Sequence, residues 1–96
     1  MLFTYPRHRV EEYARWKKAF DEHSPLLAEN GITWQIVQIN GDPTDVAVLC
    51  QCPGRKEWEA FLAADEAKRT QTGIDSRVKG GLVGQPEWWM GEVMPK

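Results

Sequence analysis

Two histidines and a group of aromatic side chains carry the acid–base and ligand-binding potential of this chain. His23 lies in the stretch VEEYARWKKAFDEHSPLLAEN, Val10 to Asn30, where Tyr13, Trp16, Phe20, His23 and Leu27 follow one another at intervals of three, four, three and four residues. That spacing places them on one stripe of a helix, with charged residues over most of its remaining surface. An imidazole on a buried aromatic face stays uncharged and is suited to take or give a proton near physiological pH. The competing reading is a core histidine hydrogen-bonded to a backbone carbonyl that Pro25 leaves free. His8 stands between Arg7 and Arg9, whose charges disfavour its protonation. It is either a second proton-transfer group or a surface residue that fixes a turn.

Tyr5, Tyr13, Trp16, Trp34 and Trp88 are the candidates for a flat, mostly apolar cavity that would hold an aromatic ligand, with a phenol or indole N–H setting its orientation. Aromatic stripes at helical spacing also build ordinary cores. Trp88 and Trp89 are consecutive on an expected strand, so at most one of them faces such a cavity and the other faces away. Arg7, with Arg9, would bind a carboxylate or phenolate at the cavity mouth, or else form a solvated basic pair. Cys50 and Cys52, two residues apart on a strand, suit neither a zinc site nor a disulfide and read as small buried hydrophobes. No phosphate-cradling glycine loop, nucleophile elbow, HExxH sequence or calcium loop occurs, so the expectation is chemistry with no cofactor and no metal.

The elements that position these residues can be read in order. Leu2 to His8 is an apolar, β-prone strand, and the helix is expected from Val10 or Glu11, with Glu11 and Glu12 placing negative charge in its first turn. Pro25 should kink or restart its last turns beside His23, and Asn30-Gly31 closes it. Ile32 to Ile39 and Asp45 to Cys52 form a hairpin across Asn40-Gly41-Asp42-Pro43. The run VAVLC in the second of these strands lacks polar alternation and implies cover on both faces. Arg55 to about Thr72 is a second helix anchored by Trp58, Phe61 and Leu62, with a restart expected at Ala64-Asp65. Gly73 to Pro86 reads as a glycine-rich segment with a short helical piece over 76–79 and a loop closing over the cavity. Glu87 to Met94 is the last strand.

Strand, helix, strand, strand, helix, strand is the ferredoxin-like βαββαβ order: an α+β fold whose four-stranded antiparallel sheet carries both helices on one face. The 96 residues make one domain (1–96), of a size at which further burial by oligomerisation helps. A second copy covering the bare sheet face is the economical partner. Charged residues are 27% of the chain, with a formal net charge of -2 and both signs interspersed, which argues against nucleic acid. No stretch reaches membrane-spanning length and the N-terminus lacks the pattern of a signal peptide, so the expected location is the cytoplasm.

The residues His8-Arg9-Val10, Tyr13, Trp16-Lys17-Lys18, Phe20 to Leu26 and Asn30-Gly31-Ile32 resemble the dimeric α+β barrel superfamily. Within it, the chain is most similar to the small cyclase-like and antibiotic biosynthesis monooxygenase-like proteins. The segment between Phe61 and Gly84 is several residues longer than in the shorter relatives. The resemblance implies a homodimer whose subunits join through their sheets, with a pocket between helices and sheet in each. It also implies a cofactor-independent enzyme of cyclase, isomerase or monooxygenase type acting on an aromatic or polyketide-like molecule. The alternative is a non-catalytic small-molecule-binding or dimerisation module. Haem-degrading members use a histidine on the second helix and an asparagine on the first strand, and this sequence has neither.

Overall fold

The computed structural model describes residues 1–73 and 80–94. Its elements are β1 (Leu2–Val10), α1 (Tyr13–Glu29), β2 (Thr33–Gln38), β3 (Asp45–Cys52), α2 (Arg55–Thr72) and β4 (Leu82–Glu92), with a single 3-10 turn at Ile39–Gly41 joining β2 to β3. The strands lie in the order β2-β3-β1-β4 and every neighbouring pair is antiparallel. The sheet is open, with β2 and β4 at its edges. Each helix links two parallel strands across one antiparallel strand. Right-handed crossovers in opposite directions, starting from oppositely directed strands, put both helices on the same face.

Side-chain parity follows from the register. Leu2 pairs with Cys52 and Thr4 with Cys50, and His8 pairs with Val46, so the even-numbered residues of β1 and β3 share the helix face. Leu2, Val46, Val48, Cys50 and Cys52 join Trp16 and Leu27 of α1 and Trp58 and Phe61 of α2 in one buried cluster. On the opposite face, Phe3 and Trp89 are exposed, while Ala47 and Asp45 are buried without a covering helix. Arg7 donates to both carboxylate oxygens of Asp45, at 2.9 and 2.7 Å. Those two bonds hold the Asp45 carboxyl below the usual range and raise the Arg7 guanidinium.

Several boundaries differ from the sequence expectation. β1 continues to Val10, because pairing with β3 and β4 outlasts Pro6, and α1 begins only at Tyr13. Glu12 is therefore the residue before the first turn, and no acidic residue lies within that turn. Both helices are single elements: α1 runs through Pro25 to Glu29, and α2 passes Ala64-Asp65 without a restart. α2 ends at Gly73, whose positive φ of 69° allows its N–H to reach the carbonyl of Arg69 at 2.9 Å. β4 starts at Leu82 rather than Glu87, since the strand is carried across a register shift between Arg7 and Arg9. Gly84, with φ 72°, sits in that irregularity, where Pro86 has no amide to donate. The helical piece expected over 76–79 lies outside the described residues.

Leu2 is 1% exposed at the centre of the core. Leu2→Ala is expected to lower the unfolding free energy by about 2–5 kcal/mol, read from urea denaturation at fixed protein concentration.

Candidate functional site

The aromatic stripe of α1 and the stripe of α2 meet over the helix face of the sheet. Trp16 stacks on Phe20 with ring centres 5.2 Å apart, and Trp58 lies 5.2 Å from Phe61. Trp88 of β4 meets Trp58 edge to face at 5.9 Å. These five rings, with Pro6, His8, Val48, Cys50 and Leu82, bound a cavity of about 290 Å³. That size is near the lower end of small-ligand sites, which run from about 300 to 1,000 Å³, so the occupant must be compact.

One end of the cavity is polar. His23, Asp65 and Arg69 line it together, with His23 Nε2 3.3 Å from Asp65 Oδ1 and Arg69 Nε 3.6 Å from Asp65 Oδ2. The His23 ring also stands edge-on to Phe61 at 5.7 Å. Its side chain is only 17% exposed. Burial pushes its pKa below the ordinary 6.5, and Lys68 and Arg69 push the same way, whereas the Asp65 charge opposes them. At neutral pH the imidazole is uncharged and able to accept a proton. Cys50 also reaches the cavity, but burial pushes its thiol up to about 11, so it is not a thiolate nucleophile. Among the described residues, no group of three or more His, Cys, Asp or Glu could hold a metal ion.

The residues singled out in the sequence fall into two sets. His23, His8, Trp16 and Trp88 line the cavity. Tyr13 instead packs against Trp16 at 5.9 Å, and Trp34 meets Phe20 edge-on at 6.0 Å, so both support the cavity wall from behind. Tyr5 and Arg7 are odd-numbered positions of β1 and lie on the opposite face of the sheet, Tyr5 beside Trp89 and Arg7 beside Glu87. Arg7 is engaged by Asp45 there and Arg9 by Asp42, so neither arginine guards the cavity mouth. The two arginines flank His8 in sequence but point away from it, because parity sends them to the other face.

Asp65 and Arg69 were not anticipated as site residues. Their signal was positional: Trp58, Phe61 or Leu62, Asp65 and Arg69 recur at helical spacing, so the apolar stripe of α2 turns charged without changing face. Charges at such positions read by composition as solvated surface.

The course of these strands and helices is also found in solved structures. A crystal structure of an antibiotic biosynthesis monooxygenase superposes with a TM-score of 0.74 at 11% identity, covering 99% of this chain and 100% of that one. The chain has the fold of the antibiotic biosynthesis monooxygenases. SnoaB, a cofactor-independent oxygenase from Streptomyces nogalater, matches with a TM-score of 0.74 at 10% identity over 99% of this chain and 94% of its own. The monooxygenase of the gene ActVA-Orf6 of Streptomyces coelicolor, in complex with nanaomycin D, matches with a TM-score of 0.63 at 16% identity over 99% and 92%. No family model matches the chain, and no curated protein matches it by sequence.

The depressed His23 pKa links to stability with a definite sign. Above the unfolded value of 6.5 both states hold the imidazole neutral, and its burial carries no protonation cost. As pH falls below that value the unfolded chain takes up the proton first, so stability falls. Thermal unfolding of the wild type is therefore expected to show a loss between about pH 6.5 and 5 that is smaller in His23→Phe.

Proposed function

We propose that this protein is a cofactor-independent small-molecule enzyme that works as a homodimer, with His23 as the proton acceptor for a compact aromatic or polyketide-like substrate. The observation that carries this reading is a neutral, largely buried imidazole at the polar end of a cavity walled by five aromatic rings. Flat rings favour a planar guest, which would be held by stacking and edge contacts. Removing a proton from a phenol or from carbon beside a carbonyl would make such a guest electron-rich. From that anion, addition of O2 at carbon, protonation to a hydroperoxide and loss of water would leave one oxygen atom in the product, as in a monooxygenase. Attack on a second carbonyl of the same molecule would instead close a ring, as in a cyclase. Either needs only a positioned base and a shaped cavity. SnoaB, described as a cofactor-independent oxygenase, and the Streptomyces coelicolor monooxygenase in complex with nanaomycin D show that this fold can support oxygenase activity and hold a small organic molecule. His8, on the sheet side of the same cavity, is the second candidate for proton transfer.

Dimerisation has its own support. The face of the sheet away from the helices presents Phe3 at 42% and Trp89 at 61% exposure around the Arg7–Asp45 pair. Apolar surface rimmed by polar residues on a small domain calls for a partner, and a second copy of the same open sheet would cover it. Trp89→Glu should then convert a dimer into a monomer in native mass spectrometry. Trp88→Ala, on the cavity side, should leave the dimer in place.

The function itself is tested by ligand capture followed by turnover. A retained or added planar aromatic should quench the tryptophan emission of the wild type. His23→Ala should then keep the dimer and the ligand but lose turnover by about 10²–10⁴-fold, the usual contribution of a general base. A ligand that binds and is never converted, in wild type or variant, would reassign the protein as a small-molecule-binding module.

A further inference from the structure

We infer that Asp65 is the positioning residue of the site: it holds His23 in the tautomer with the proton on Nε2, which leaves Nδ1 as the atom that takes the substrate proton. The inference deepens the proposed function and rests on His23 being its base. Its ground is the placement of three side chains. Asp65 Oδ1 faces His23 Nε2 at 3.3 Å, and Oδ2 of the same carboxylate faces Arg69 Nε at 3.6 Å. An ionised carboxylate only accepts hydrogen bonds, so a ring nitrogen 3.3 Å from it is favoured as the one that carries hydrogen. A neutral imidazole has one N–H, and Nδ1 is thereby left with its lone pair.

The surroundings restrict the alternatives. Phe61, one turn before Asp65 on α2, meets the His23 ring edge-on at 5.7 Å and limits its tilt. Arg69, one turn after Asp65, places its positive charge 3.6 Å from the other carboxylate oxygen. Asp65 is thus held between a cation and the imidazole, and its side chain is 21% exposed. When Nδ1 accepts a proton, the resulting imidazolium forms beside a fixed negative charge. The proton moves from the substrate to Nδ1, the bonding pair stays on the substrate as its anion, and Nε2 keeps its hydrogen beside Asp65. Lys68 and Arg69 of α2 oppose that positive charge. His8 of β1 and Cys50 of β3 are the other titratable groups on the cavity wall. Asp65 is the only one of these groups that favours the protonated ring.

The test is long-range proton–nitrogen NMR of the uniformly ¹⁵N-labelled full chain, with the two histidines distinguished by His23→Gln. Above its titration His23 is expected as the Nε2–H tautomer. Asp65→Asn, nearly isosteric, should weaken that bias toward the mixture of a free histidine and move the His23 midpoint down, Asp65→Glu should restore it in part, and Arg69→Gln should move the midpoint up. A wild-type His23 with its proton on Nδ1 overturns the inference without any variant. So does an Asp65→Asn spectrum with unchanged tautomer and midpoint. These readouts need no substrate, so they stand apart from the fate of the enzyme reading. Once a turnover is in hand, Asp65→Asn should lower kcat by about tenfold or more with KM unchanged, and an equal fall in His23→Gln and Asp65→Asn,His23→Gln would show the two acting as one unit.

Discussion

The antiparallel pairing of β1 with β3 is the constraint on which the rest depends. With Leu2 opposite Cys52 and His8 opposite Val46, two central strands send their even-numbered side chains to the helices and their odd-numbered ones to the bare face. A slip of one residue would exchange His8 and Pro6 for Arg7 and Arg9 beneath the helices. The cost would be two guanidinium groups in an apolar layer. The register is pinned on the other side by Asp45, which is buried and takes both of its hydrogen bonds from Arg7. One ion pair therefore sits on the open face and helps decide what enters the cavity on the other.

The cavity arises where two helices with large anchors share one side of a small sheet. Trp16 and Trp58 are both at least 95% buried and make up much of the packing between helices and sheet. Beyond them the stripes turn polar, with His23 on α1 and Asp65 and Arg69 on α2. An apolar residue at any of these positions would serve the core better, because each polar group must find a partner before it can be buried. Local choices that work against packing are characteristic of sites kept for chemistry. The three groups stand side by side, with Asp65 3.3 Å from His23 and 3.6 Å from Arg69, so the carboxylate charge offsets part of the cost of burying its neighbours.

The likeness to the antibiotic biosynthesis monooxygenases concerns the backbone path. At identities of 10 to 16%, the relatives share the order of elements and almost the full length of this chain. A fold of this kind supplies a sheet, two helices and a space between them, and side chains decide what happens there. Here those side chains are an imidazole held neutral by burial, a carboxylate 3.3 Å from it, and a wall of rings around a cavity of about 290 Å³. The thiol of Cys50 on that wall stays protonated, so no thiolate is on hand there as a nucleophile.

Periodicity alone determined much of this protein. The 3.6-residue spacing of Tyr13, Trp16, Phe20, His23 and Leu27 showed a helix with its imidazole on the buried side, and the two-residue period of the last strand separated Trp88 from Trp89. It also yielded β3 and α2 with the ends at which they are found, because Asp45, Pro53-Gly54 and Gly73 are strong local stops. Where β1 ends, and where β4 begins, was decided by partner strands, since hydrogen bonding across a sheet can carry a strand past a proline or a glycine. The direction in which Arg7 and Tyr5 point also belongs to the tertiary structure, because alternation divides a strand into two faces without saying which of them the helices will cover. Asp65 and Arg69 show the limit most directly. A charge on a helical stripe reads as solvent-facing until a second helix brings His23 to within 3.3 Å, and that proximity depends on the packing of α1 against α2, which no local spacing encodes.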